Sequence, residues 1–181
     1  MTVLGFGIAF AAPMRVSTGR ARPGVDAAID MSDPLPATSL KGVMRATATQ
    51  LLGADDTRIG DVFGSPQREC RWEWSNAAPQ TLWAPPQRAT RIRVENHVAT
   101  DDMLGCAEQT YTTAATFTVT AIDEPPDPEL ATHIAILTIA ATATRALGAG
   151  RRRGTGWVHI TSETHPVDAA RIRTFLTGTS T

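Results

Sequence analysis

The order of hydrophobic patterns along this chain predicts an α+β fold on a βαββαβ core. Three observations carry the prediction. An apolar run opens the sequence, two stretches with apolar residues at helical spacing lie far apart, and β-rich runs fall between and after them.

Thr2 to Phe10 is apolar and is followed by Pro13, the pattern of a central strand ended by a breaker. MTVLGFGIAFAAPMR has the hydropathy of a leader peptide, but no positive charge precedes its apolar run, so it reads as a buried strand. Arg15 to Pro36 reads as loop, with Gly19, Pro23, Gly24, Pro34 and Pro36 among Asp26, Asp30 and Asp33. Structureless loops beyond about 12–15 residues tend to be functional, and this one is longer. Ser39 to Leu52 predicts the first helix, with Leu40, Val43, Met44, Ala48, Leu51 and Leu52 on one face, Ser39 or Thr38 as cap and Gly53 as stop. Lys41 and Arg45 sit one turn apart on another face.

RECRWEW alternates Arg71 and Glu73 with Trp72 and Trp74, a strand period that suggests an inserted hairpin or an edge within residues 65–90. Arg91 to Glu95 and Tyr111 to Ile122 are further β-rich runs, separated by a polar loop from Asn96 to Gln109. The pair suggests a hairpin with a long tip. EPPDPELATHIAILTIAATATRALG predicts a second helix capped by Asp127, with Pro128 at the first helical position, a buried stripe of Leu130, Ile134, Leu137, Ala141 and Leu147, and Gly148 and Gly150 at its end. GRRRGTG leads into the strand WVHI, and PVDAARIRTFLTG reads as a short terminal helix. The central elements thus run in the ferredoxin-like (RRM-like) order, within one domain spanning 1–181.

With 42% apolar residues the chain can bury one substantial core. A formal charge of −1 excludes a global basic excess, so any nucleic-acid site has to be local. Cys70 and Cys106 lack CxxC spacing and the four histidines are scattered, which shows no zinc framework and suits a reducing cytoplasm. No apolar run reaches the length of a membrane-spanning helix, so no membrane partner is expected.

Two segments carry candidate chemistry. In PATSLKGVMR a helix start brings free N–H groups and the positive end of its dipole together with Lys41 and Arg45, while Gly42 permits close approach; phosphate suits such a place. Lys41 is the single lysine beside 16 arginines. In GAGRRRGTGWV, four glycines surround Arg151, Arg152 and Arg153, which can bond successive phosphates. The ordinary alternatives are a solvated lysine and arginines paired with nearby carboxylates.

These segments, in order with the Phe63-Gly64 step between them, resemble the RAMP superfamily and match the order of the backbone subunits of type III CRISPR effectors. The resemblance covers nearly the whole chain. It implies contacts to guide RNA from Ser39, Lys41 and Arg45 and from Arg151, Arg152 and Arg153. It implies a hairpin thumb at residues 96–109 that wedges between guide and target bases, with Met103 and Leu104 nearest its tip. It also implies a catalytic aspartate in the loop before SLKG. Asp26, in the G-V-D step, is the candidate, with Asp30 and Asp33 as alternatives; Asp26 would bind Mg²⁺ or another divalent cation, or position a 2′-hydroxyl.

The partners expected from the resemblance are guide RNA, complementary target RNA, copies of the chain in a filament and other CRISPR effector subunits. Asn76 stands where the family more usually has aspartate, and the charge is low for an RNA filament. This leaves open a non-cleaving structural or capping subunit beside a metal-dependent endoribonuclease. From another class, a ferredoxin-like small-molecule enzyme or sensor would use the arginine loop for an anionic ligand.

Overall fold

The computed structural model describes residues 1–95 and 98–177. In chain order its elements are β1 (Val3–Phe10), α1 (Ala37–Leu52), α2 (Thr57–Phe63), β2 (Trp72–Trp74), β3 (Ala78–Pro79), β4 (Gln87–Glu95), β5 (Val98–Gln109), β6 (Ala114–Ala121), α3 (Asp127–Ala143), β7 (Val158–Ser162) and α4 (Ala169–Thr177). The main sheet runs β2-β6-β1-β7 and every pairing in it is antiparallel. With β1 between β6 and β7, and β2 outside β6, this is the split βαβ order of a ferredoxin-like core, as expected.

Alternation explains which face is covered. Leu4, Phe6, Ile8 and Phe10 of β1 point one way with Phe117 and Val119 of β6 and Val158 and Ile160 of β7, and all are buried. Phe6 and Phe117 are register partners whose rings stack at 4.9 Å. Leu40, Met44 and Ala48 of α1 and the buried face of α3 complete the core. Thr118, His159 and Thr161 project from the other face and are exposed, which antiparallel sheets tolerate. Among the described residues no helix is long and apolar enough to cross a membrane.

Several elements depart from the sequence pattern. α1 starts at Ala37, and neither Thr38 nor Ser39 caps it; the Ala37 N–H donates instead to Oδ1 of Asn76 at 2.9 Å. Asp127 does not cap α3, whose N-cap is Pro126, and the helix ends at Ala143, so Leu147 is buried beyond its end. α3 is buried on more than one stripe because α1, α4 and β7 all pack on it. Residues 65–90, expected as an inserted hairpin or an edge, hold β2 and β3, and both pair with β6. Trp72 to Trp74 therefore supplies the edge strand of the core.

The second sheet is the hairpin β4–β5, with Ile92 opposite Leu104 and Arg91 opposite Gly105. The polar stretch expected as loop from Asn96 to Gln109 is thus mostly strand. Asn96 and His97 lie outside the described residues. Tyr111 to Ile122 contains β6, which joins the core rather than pairing with the run from Arg91 to Glu95.

Candidate nucleic-acid interface

The loop from Arg145 to Val158 is built on main-chain bonds. Ala146 and Trp157 bridge at its base, the Leu147 N–H donates to the Gly156 carbonyl at 2.8 Å, and the Ala149 N–H donates to the Arg15 carbonyl at 2.7 Å. The chain leaving β1 and the glycine-rich loop are thereby laid side by side. Only glycine fits at two positions, both with positive φ: a Cβ on Gly148 would lie 2.3 Å from the Arg15 oxygen, and one on Gly156 would lie 1.9 Å from the Leu147 oxygen.

Between the left-handed residues Gly150 and Gly154, Arg151 to Arg153 form a single 3₁₀ turn with all three side chains exposed. None of the three makes an ion pair among the described residues. The carboxylates that do pair take other cations: Asp56 with Arg58, Asp61 with Arg68, Asp123 and Glu129 with Arg71, Glu108 with Arg22, and Glu124 with the amino terminus. A chain of nearly zero net charge therefore segregates its charge and leaves the arginine turn uncompensated.

This turn borders a groove of about 410 Å³ lined by Arg15, Ser39, Gly42, Val43, Gly148 and Arg151, among others. The two candidate segments, over a hundred residues apart in sequence, share one surface. Arg15 was missed by sequence reasoning, since one arginine at the start of a loop carries no pattern. Its Nε is buried without a hydrogen-bond partner, and burial, then the charge of Arg91, lowers its pKa from the ordinary guanidinium value. Arg91 of β4 reaches the same loop, where its guanidinium would lie 3.1 Å from a Cβ on Gly150. Like charges gathered without counter-ions raise the energy of the empty surface, and a polyanion relieves it.

Ser39 and Gly42 face this groove, but Lys41 does not line it. Its Nζ sits 5.2 Å from the centroid of the Trp74 ring, a cation–π contact, and Arg45 is exposed. With Asn76 on the Ala37 N–H, the start of α1 is partly satisfied within the protein.

The three loop aspartates separate by environment. Asp30 forms a local turn, accepting from the N–H and hydroxyl of Ser32, and these bonds hold its carboxyl below the usual range. Asp33 is half-buried, and burial, then the charge of Asp30, raises its pKa. Asp26 is exposed and docks on the hairpin: Oδ2 accepts from the Cys106 N–H at 2.7 Å, and its own N–H donates to the Cys106 carbonyl. Among the described residues, no group of three or more His, Cys, Asp or Glu side chains gathers to hold a metal. The donor set at Asp26 is a single carboxylate with one oxygen engaged. That fits a cation such as Mg²⁺ completed by phosphate oxygens and water, not an all-protein cage.

Met103 and Leu104 lie on β5, not at the hairpin turn. Leu104 is exposed, and the Met103 side chain lies outside the described residues.

Comparison with known proteins places this geometry. Curated proteins show no match in sequence. Among solved structures, a chain of the Type III-B Cmr-beta complex bound to cognate target RNA is similar with a TM-score of 0.68 and 12% identity, over 90% of this chain and 97% of that one. A chain of Type III-B Cmr-beta in the apo state is similar with a TM-score of 0.66 and 12% identity, over 91% and 98%. At that identity the likeness is one of fold. The family model for the RAMP superfamily matches residues 13–159, from just before Arg15 to the final strand, and the chain belongs to that superfamily.

Proposed function

We propose that this chain is a guide-RNA-binding subunit of a CRISPR effector complex, assembled with copies of itself and other effector subunits, and that it cleaves paired target RNA through Asp26. The observation behind the binding part is the convergence of Arg15, Ser39, Gly42 and Arg151 on one groove beside an arginine turn that has no partner among the described residues. The fold likeness to a complex bound to cognate target RNA supports the same reading.

In this reading Arg151, Arg152 and Arg153 hold successive phosphates, and the loop glycines let the RNA backbone approach closely. Lys41 and Arg45 extend the basic surface over the first turns of α1, and Leu104, exposed on β5, meets the paired bases. Asp26 would hold a divalent cation such as Mg²⁺ with one carboxylate or orient a target 2′-hydroxyl. The cation, when bound, supplies neutralisation of the charge that builds on the scissile phosphate. The test is cutting of complementary RNA by complexes assembled with the wild type or Asp26→Ala. Loss of Mg²⁺-dependent products is expected, and equal cutting removes Asp26 from the reaction.

A second reading, a non-cleaving structural or capping subunit, is favoured by the bond from the Cys106 N–H to Asp26, which gives that carboxylate a role in fixing the loop to the hairpin. It predicts no Mg²⁺-dependent products from the assembled wild type.

A further inference from the structure

Three of the four tryptophans have ring partners within the fold. Trp72 meets His133, Trp74 stacks on Phe63 under Lys41, and Trp83 meets the edge of Phe10. Trp157 has no ring partner among the described residues and is 54% exposed. A singly exposed apolar residue is ordinary on a protein surface. The setting of this one is not. Its indole N–H donates to the Arg151 carbonyl at 3.4 Å, which ties the ring to the arginine turn. It lines a cavity of about 470 Å³ together with the apolar Ala9, Phe10, Ala11 and Val158 and with Arg145, Arg151 and His159.

That volume falls within the roughly 300–1,000 Å³ of small-ligand pockets. Arg145 and Arg151 make no ion pair among the described residues, and Arg151 also borders the groove beside α1. A strand whose phosphates lie on the arginine turn would therefore pass within reach of the pocket. An apolar lining, an unstacked aromatic ring and unpaired guanidinium groups are the parts of a stacking platform for single-stranded nucleic acid.

We infer that Trp157 and this cavity form a stacking site for one unpaired base of the RNA strand held by the arginine turn. The inference rests on the RNA-binding reading and adds a contact to a base where that reading has contacts to phosphate. A base stacked on indole adds affinity without sequence choice, since every base has a π-face.

The test compares binding of a labelled 12-nucleotide single-stranded RNA with that of a ribose-phosphate oligomer of equal length lacking bases, using the full chain. The wild type is expected to bind the RNA roughly ten-fold more tightly than the abasic oligomer. Trp157→Ala should remove most of that preference, and Trp157→Phe, which keeps a ring but like the alanine variant lacks the N–H to the Arg151 carbonyl, should retain much of it. Equal affinity of wild type and Trp157→Ala for the RNA overturns the stacking site and leaves the RNA-binding reading standing. Failure of the wild type to bind either oligomer overturns both. Binding of free UMP or AMP as tight as that of the 12-mer assigns the pocket to a small nucleotide and overturns the RNA source. A change of oligomeric state in Trp157→Ala with RNA affinity unchanged assigns it to a second copy of the chain and likewise overturns the inference.

Discussion

The carbonyl oxygen of Arg15 occupies the space that a side chain on residue 148 would need, 2.3 Å from the position of a Cβ there. With φ at +76°, Gly148 is held by both backbone conformation and contact. Gly148→Ala is expected to cost about 1–3 kcal/mol from the left-handed backbone alone, with the overlap adding to it. Gly154→Ala is the comparison: its φ is +81° and nothing lies within 4 Å of a Cβ there, so only the backbone cost applies. Denaturant melts of the two variants should rank Gly148→Ala clearly the less stable. Equal midpoints would mean that the loop does not lie against Arg15.

The arginine turn makes a prediction in salt. Each phosphate contact on a single strand contributes about 0.7 to the slope of log affinity against log salt concentration, so replacing Arg151, Arg152 and Arg153 with alanine should flatten that slope by about 2. Anisotropy with labelled single-stranded RNA at several salt concentrations reads it directly. Arg173→Ala, an exposed arginine on α4, should leave the slope as it was.

Periodicity made β1, α1, α3 and β7 legible, because each presents an apolar face to one core. β5 was not legible: Thr100, Asp101, Asp102, Gly105 and Cys106 show no apolar alternation, and the strand is held by main-chain pairing with β4 on one side and with the loop at Ala27, far off in sequence, on the other. α2 carries only a short local signal, with Asp56 as its N-cap and Ile59, Val62 and Phe63 at helical spacing in seven residues. The Asn76 cap on α1 comes from 39 residues away, and local sequence carries no sign of it. The site divides the same way. SLKG and the arginine run were visible as motifs, whereas Arg15 and Arg91 joined them only through the path of the chain.

Lys41 tests how far a motif residue belongs to the fold. With its ammonium over Trp74, Lys41→Met should lower stability by about 0.5–1 kcal/mol, the scale of an exposed cation–π pair, with an unchanged denaturant m-value. As a proposed phosphate contact it should also lower the salt slope of RNA binding by about 0.7. A stability loss with no change in slope would assign Lys41 to the fold alone.

His133 gives the acid side of the stability curve. It is 2% exposed, and its Nδ1 accepts from the Trp72 indole N–H at 3.0 Å. Burial, more than any other cause, pulls its pKa below the ordinary value; Glu129 and Asp61 push it up, and Arg71 and Arg68 add to the lowering. An unfolded histidine titrates at about 6.5, so below that pH this site binds more protons in the unfolded state than in the folded one. Stability is therefore full above that value and falls as pH drops toward the depressed folded pKa. Urea midpoints between pH 5 and 8 should show this limb in the wild type and a flatter one in His133→Gln, whose amide oxygen can still accept from Trp72. His165, lowered by burial and Arg171, contributes in the same direction to both proteins, so their difference isolates His133.

Asp26 has two roles that two substitutions separate. Its carboxylate fixes the loop through the Cys106 N–H, and in the proposed reaction it serves the cut. Asp26→Asn keeps an oxygen to accept that bond and loses the charge, whereas Asp26→Ala loses both. The alanine variant should be less stable by about 0.5–1.5 kcal/mol, the worth of one hydrogen bond, and the asparagine variant close to wild type. In assembled complexes both should cut complementary RNA more slowly by about 10²-fold or more, the scale of a lost positioned acid–base group, with RNA affinity unchanged in Asp26→Asn. If Asp26→Asn cuts as fast as the wild type while Asp26→Ala melts earlier, the carboxylate is a loop anchor and the catalytic assignment falls.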